Sequence, residues 1–453
     1  MPQPTLALRH AVAIIVGIVI GAGIFKAPSL VAQFTGSTDW MFIAWALGGL
    51  VSLIGALCYA ELATTYPNAG GDYHFLLRAY GRQIAFLFAW ARFAVITTGS
   101  IALLAYVFGD YMSQLLRLGP YSEAVYAAAS VLVLGWINLR GTRASAATQG
   151  WLTLAEVGGL LLVVVAGLYL ITQGLGAPAA APAAQAAAAS APNWSMFGLA
   201  MVFVLLTYGG WNEAAYLGAE LADVKRNMLR ALIISISLIT ALYLLVNWAY
   251  LHGLGLKGMA DSNAVAADLM KVAFGRTGET LISIMVAIAS LTSINATMLV
   301  GARTNFAVGN DWPALEKLGR WNAERATPTN ALLVQGAVAL ALIALGSTTR
   351  SGFQTMVDYT APVFWTFFLL STVALIVLRF KDPGTVRPFR VPLYPVLPIL
   401  FALVCLYMLY SSLVYVKIGA LVGVAVLAVG AVILAMLSAW GRGRSSTIAD
   451  RAT

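Results

Sequence analysis

Runs of apolar residues long enough to cross a lipid bilayer recur along this chain, and no other feature constrains it more. Stretches of about 18 or more residues with few charges read as membrane spans. Twelve such candidates begin near residues 10, 40, 84, 122, 148, 196, 229, 278, 328, 355, 393 and 417. In hydrocarbon the backbone must satisfy its own hydrogen bonds, so these runs predict helices and an all-α integral membrane protein. Of the 453 residues, 60% are hydrophobic and 10% charged. Soluble domains carry about 25% charged residues, so the bilayer is the expected solvent.

The first run follows MPQPTLALRH with no small-residue cleavage site and exceeds a signal-peptide core. The first helix is therefore expected to stay in the mature chain. An even number of spans puts both termini on one side, and the Lys and Arg distribution selects that side. With the termini inside, nineteen of these residues fall in inside segments. Six lie outside (Arg117, Lys257, Lys271, Arg276, Arg350, Lys417), and Lys26 and Arg92 fall within spans. Cytoplasmic termini in a plasma membrane, the inner membrane in a bacterium, follow from the positive-inside rule. The net charge of +9 is a product of this bias and calls for no nucleic-acid partner.

Cys58 and Cys405 lie inside apolar runs, where reduced, buried thiols are expected. His10, His74 and His252 stand far apart, without metal-pair spacing, so no metal centre or cofactor is expected. A membrane-embedded enzyme needs a catalytic cluster, and HExxH, GxSxG and an intramembrane Asp pair are all absent from the sequence.

The Ala/Pro-rich segment from Ala177 to Pro192 is low in complexity and reads as an outside linker. Five runs precede it and seven follow. Two groups of five spans have opposite orientation, which makes spans one and six equivalent by pseudo-symmetry. The organisation expected is residues 1–173 as a first repeat, 174–195 as the loop, 196–380 as a second repeat, 381–440 as two added helices and 441–453 as a cytoplasmic tail.

Span one contains IGAGIF and span six contains LTYGGWNE, from Leu206 to Glu213. Glycine weakens a helix by roughly 1 kcal/mol relative to alanine. Unwinding frees N–H and C=O groups, which a membrane protein tolerates where they line a cavity. A zwitterionic amino acid satisfies both kinds: its carboxylate accepts from N–H groups and its ammonium donates to carbonyls. Close helix packing by small residues is the bland alternative for either segment alone. Two interruptions at pseudo-equivalent positions favour a binding site.

At these motifs the chain resembles the amino acid, polyamine and organocation (APC) superfamily, specifically L-type amino acid transporters and their bacterial relatives. The resemblance extends to YAELATTYPNAGGDYHFLLRAYG (Tyr59 to Gly81), YGGWNEAAYLGAEL (Tyr208 to Leu221), ARTNFAVGNDWPALEKLGRWNAERATP and RPFRVPLYPVLP (Arg387 to Pro398). It implies a LeuT-like fold of twelve transmembrane helices, a five-plus-five inverted repeat with discontinuous helices one and six. It implies a secondary active transporter working by alternating access.

Carried over by position, the substrate carboxylate is expected at the N–H groups of Gly21, Ala22 and Gly23. The ammonium is expected at carbonyls near Ile20 and in Leu206, Thr207, Tyr208 and Gly209. Side-chain selectivity then falls to Thr98, Ser100, Leu206, Gly210, Trp211, Asn212 and Asn295. Two departures stand out. Leu206 occupies a position that is commonly a bulky aromatic in the family, which leaves gating to Tyr208 or Trp211, or leaves a roomier pocket. Glu156 occupies a position usually held by lysine, where sodium sits in sodium-coupled relatives.

A carboxylate buried in a membrane either takes a proton or pairs with a cation. Glu156 is thus a candidate to couple H⁺, or Na⁺ held together with Ser290, Thr292 or Ser293. It is also placed to attract a polyamine or cationic amino acid, or to face a wet vestibule without any coupling role. Glu61 and Glu220 are expected in inner salt bridges with Arg78, Lys225 or Arg226, and Lys26 in the outer vestibule. Asp358 is expected to line that vestibule or cap its helix, and Arg92 to snorkel or pair structurally. A non-transporting sensor of the same fold is the rival of another class. Substrate identity, accessory subunit and oligomeric state are not legible in the sequence.

Overall fold

The computed structural model describes residues 7–68, 71–140, 146–176, 193–212, 221–312, 315–322, 327–349, 351–415 and 422–436. The linker from Ala177 to Pro192, Glu213, Glu220 and the tail after Trp440 lie outside them. Apart from one isolated bridge between Asn322 and Thr327, the described residues are helical or irregular.

Among the described residues, eight helices are long and apolar enough to span a bilayer. They are α3 (Thr38–Thr65), α5 (Arg82–Leu115), α6 (Ser122–Leu139), α9 (Val224–Asp261), α10 (Val265–Asp311), α11 (Thr329–Ser347), α12 (Gly352–Lys381) and α13 (Val396–Tyr415). The remaining helices are α1 (Leu8–Val19), α2 (Ala27–Thr35), α4 (Asp72–Tyr80), α7 (Ala146–Thr172, 27 residues), α8 (Trp194–Thr207) and α14 (Val422–Met436). Eight such spans are thus observed among the described residues. The runs near 10 and 196 are shorter because each is interrupted; the run near 148 is helical from Ala146 to Thr172, and near 417 the described residues cover only part of the run.

The interrupted pair sits at the centre. α2 packs against α8, α1 and α2 pack against α9, and the turn between α1 and α2 touches α5, α8 and α10. Further out, α5 packs on α6, α10 and α12, and α9 on α3 and α7. Buried side chains are continuous through this arrangement, with Trp45, Tyr59, Tyr208, Tyr243 and Phe203 among its largest members.

One end of the bundle is held by charge. Glu61, at the end of α3, is fully buried and accepts from Arg379 Nε at 2.7 Å and from the Val391 N–H at 2.6 Å; Arg387 Nε lies at 3.5 Å. The expected partners of Glu61 were Arg78, Lys225 or Arg226. Arg78 instead pairs with Asp382 at 3.0 Å, and Tyr66 donates to the same carboxylate oxygen at 3.1 Å. The reason is topological: the end of α12 and the RPFRVP segment reach Glu61 and cover it. α4 is tied to the same helix by Ser371 donating to Asp72 at 2.8 Å, and by Lys381 donating to the Ala79 carbonyl at 2.8 Å.

Candidate functional site

The first interruption begins where α1 ends. Ile20 and Gly21 are both extended, Ala22–Phe25 form one 3₁₀ turn, and α2 starts at Ala27 with Pro28 in its first turn. Proline suits that place because its missing N–H would have had no helical partner there. The second interruption follows Thr207. Tyr208 closes the helix, the Gly209 N–H bonds the Leu206 carbonyl at 3.1 Å, and Gly210 has φ +100°. That conformation favours glycine, and a Cβ on Gly210 would lie 2.8 Å from the Ile18 carbonyl oxygen.

The two interruptions touch. A Cβ on Gly23 would lie 3.6 Å from the Thr207 hydroxyl, whereas one on Gly21 would meet nothing within 4 Å. A side chain at Gly23 would thus make ordinary contact with Thr207, whereas one at Gly21 would enter open space. From α9 the Tyr243 hydroxyl stands 3.4 Å from the Val19 carbonyl and 3.3 Å from the Thr207 carbonyl. One phenol thus spans the ends of both broken helices, and Tyr243 is itself fully buried. Nothing in the sequence separates it from other tyrosines in apolar runs.

On α5 the residues Arg92–Thr97 form a π-helical turn just before Thr98. Such turns release a backbone carbonyl from the regular ladder and recur at functional sites. Here the Ala94 carbonyl accepts from the Thr98 hydroxyl and from the Tyr359 hydroxyl of α12, both at 2.9 Å. Ser100 donates to Ile96 at 2.8 Å and is half-buried. Thr98 and Ser100 therefore stand on the element beside the interruption, each already engaged with its own helix.

The remaining candidates divide. Leu206 is half-buried against the core. Tyr208 donates to the Trp45 carbonyl at 3.0 Å, and its ring lies 5.0 Å from that of Tyr243. Trp211 is buried among Tyr59, Phe368 and Phe401. Both rings are packed into the core. Asn212 is half-buried at the end of the described stretch. The Asn295 Oδ1 accepts from Asn138 Nδ2 of α6 at 2.8 Å.

Glu156, on α7, is 6% exposed, and its Oε1 accepts from the Ser293 hydroxyl at 3.4 Å. No lysine or arginine pairs with it among the described residues. Ser290, three residues before Ser293 on α10, is fully buried and its hydroxyl has no partner among the described residues. Thr292 is turned to its own helix, donating to Ile288 at 3.0 Å. The geometry thus joins Glu156 to Ser293 and leaves Thr292 aside.

Lys26 does not reach an open vestibule. It is 4% exposed, 2.8 Å from Asp110 Oδ2, and it donates to the Asn263 carbonyl at 2.6 Å. Asp110 lies inside an apolar run, and its position there is the signal that predicts a buried partner. Asp358 lies within α12, not at its cap, with one carboxylate oxygen buried and without a partner among the described residues. Arg92 opens the π-helical turn and is half-buried.

A family model described as amino acid permease matches residues 6–437. The b(0,+)-type amino acid transporter 1 of Homo sapiens is 30% identical over 422 residues, covering 91% of this chain and 83% of that protein. The large neutral amino acids transporter small subunit 2 of Mus musculus is 31% identical over 431 residues, covering 91% and 78%. The serine/threonine exchanger SteT of Bacillus subtilis (strain 168) is 28% identical over 419 residues, covering 90% and 91%.

Proposed function

Because this chain belongs to the amino acid permease family, a multi-pass membrane transporter of amino acids and not an enzyme, we propose that it works by alternating access around the two touching interruptions. The observation that carries this reading is the open space at Gly21, next to the contact between Gly23 and Thr207 that joins the two interruptions. The Ile20 N–H still bonds the Val16 carbonyl at 2.9 Å, and the extended backbone from there frees the Ile20 carbonyl and the Gly21 N–H from the regular helical ladder. A substrate carboxylate accepts from the N–H groups of Gly21, Ala22 and Gly23, and its ammonium donates to carbonyls at Ile20 and Leu206 to Gly209.

In this reading the chain crosses the membrane twelve times with cytoplasmic termini, and residues 1–173 and 196–380 are inverted halves. α1 is then the inner and α2 the outer half of the first helix. Thr98 and Ser100 border the substrate side chain from α5, and Leu206 from α8.

Glu156 with Ser293 is the coupling group of this reading. A carboxylate 6% exposed with one hydroxyl partner is stabilised by taking up a proton or a cation. The fully buried Ser290 hydroxyl adds a second oxygen on the same helix. Uptake of a panel of amino acids and putrescine into proteoliposomes, under imposed pH and Na⁺ gradients, tests all of this. Neutral amino acid uptake that follows one ion gradient in the wild type, but not in Glu156→Gln, supports the reading. Unchanged ion dependence in that variant removes Glu156 from coupling. Competition by putrescine alone assigns polyamine import, and no exchange of any compound assigns a sensor.

A further inference from the structure

We propose that Lys26 is the bolt of an outer latch, which holds the outer half of the first broken helix against α5 and the α9–α10 connector and withdraws once per transport cycle. The proposal rests on the alternating-access reading above. It goes beyond it by assigning the closing contact to residues outside the substrate clamp.

The two halves of the broken helix are held very differently. Lys26 reaches Asp110 on α5 at 2.8 Å and the Asn263 carbonyl at 2.6 Å. Ser29, one turn on, donates to the Ser262 carbonyl at 2.9 Å. Tyr111, next to Asp110, donates to the Phe25 carbonyl at 2.6 Å while accepting from the Ala266 N–H at 3.3 Å. Three residues of one short segment, Phe25, Lys26 and Ser29, are thus bonded to two other elements. By contrast, the described hydrogen bonds that reach α1 from other helices are two, from Ser235 to Val12 and from Tyr243 to Val19, both at 3.4 Å.

The connector is separable from the spans it joins. α9 is kinked at Gly255, with φ +68°, and α10 at Phe274 and Gly275, with φ +63° at the glycine. Asn263 and Ser262 lie between these two kinks, so the residues that receive Lys26 and Ser29 sit on a segment with a hinge at each end. Closure buries the ion pair, with Lys26 at 4% and the Asp110 side chain at 11% exposure. A buried pair is strong only while both charges meet, because each alone in a dry site is penalised. Lysine fits a contact that must open, since its flexible stem lets the ammonium withdraw into water as a compact, well-hydrated charge. Glu123 of α6 acts on Asp110 electrostatically, and Tyr111 and Tyr106 flank it from α5.

The test uses the full-length protein in proteoliposomes, with Cys58 and Cys405 replaced by alanine and Val31→Cys as reporter. Val31 is fully buried on α2, so a membrane-impermeant thiol reagent reaches it from outside only when the outer half opens. Lys26→Met and Asp110→Asn are each expected to raise the labelling rate at least tenfold and to slow exchange. The double variant, which removes both charges, is expected to label similarly while recovering the folded yield that one unpaired buried charge would lower. Should single variants fold poorly, labelling with Lys26 intact decides: substrate supplied inside must change the rate relative to substrate supplied outside. Labelling indifferent to Lys26, Asp110 and substrate side, in a protein that still exchanges amino acids, overturns the latch alone. Absence of exchange for every amino acid overturns the transport reading and the latch with it.

Discussion

Glu61 and Arg379 stand 318 positions apart in sequence, yet Arg379 Nε donates to Glu61 Oε1 at 2.7 Å inside the bundle. The Val391 N–H and the Arg387 guanidinium complete the shell of this carboxylate. Arg379 also lies 3.7 Å over the Tyr394 ring. Removing one member leaves the other charge buried and uncompensated, which costs about 3–5 kcal/mol. Arg379→Ala is therefore expected to lower the unfolding temperature of the purified protein sharply. Glu61→Gln keeps an acceptor for the Val391 N–H and is expected to be milder. Equal thermal stability of Arg379→Ala and wild type would contradict the pair's structural role.

That contact also explains why some motifs were legible and others misleading. YAELATTYPNAGG and RPFRVP read as separate signatures in sequence; Glu61 from the first and Arg387 and Val391 from the second form one site. They are scaffold, not substrate contacts. The interruption at Gly21 was legible because glycine among β-branched residues is itself a backbone statement, and that at Gly210 because a glycine pair stands at the pseudo-equivalent place in span six. The partner of Asn295 was not legible for the opposite reason: a polar residue in a span must find a partner, and only three dimensions reveal that Asn138 supplies one. Lys26 was misread likewise, since Asp110 lies 84 residues away on a different helix. Tyr243 carried no sequence signal, because its role comes from standing between two chain ends distant in sequence.

Three glycines separate substrate binding from folding. At Gly21 a methyl group meets nothing within 4 Å and the backbone is extended, so Gly21→Ala is expected to fold normally while intruding on substrate. Its KM for amino acids should rise at least tenfold with unchanged thermal stability. Gly23→Ala makes ordinary contact with Thr207 and is expected to be milder. Gly210→Ala combines φ +100° with a 2.8 Å approach to the Ile18 carbonyl, so it should lower both folded yield and transport. Detergent-purified yield and KM, measured side by side, distinguish the three.

The Tyr243 hydroxyl, 3.4 Å from the Val19 carbonyl and 3.3 Å from that of Thr207, holds two helix ends with one proton donor. Tyr243→Phe keeps the ring between Trp45 and Tyr208 and removes only this bond. A hydrogen bond of this kind contributes about 0.5–1.5 kcal/mol, which corresponds to a change of roughly two- to twelvefold. Exchange is expected to slow within that range, with folding largely retained. An unaltered rate would mean that the two ends are held by packing alone.

Two groups outside the spans predict how stability responds to acid. The Arg78 and Tyr66 hydrogen bonds to Asp382 hold its carboxyl below the usual carboxylate range. Its contribution is present above the unfolded value of about 4 and is lost as pH falls toward the depressed folded value. Burial, followed by the charge of Arg78, lowers His74 below the ordinary histidine value. A histidine kept neutral by folding stabilises above about pH 6.5 and ceases to do so as acid protonates the unfolded chain first. Both signs agree, so unfolding temperature is expected to decline on acidification in two stages. His74→Gln should flatten the stage just below pH 6.5. Asp382→Asn should lie below wild type by a constant margin between pH 5 and 8, a gap that closes below about pH 4. A wild-type unfolding temperature that rises between pH 7 and 5 would contradict the His74 assignment.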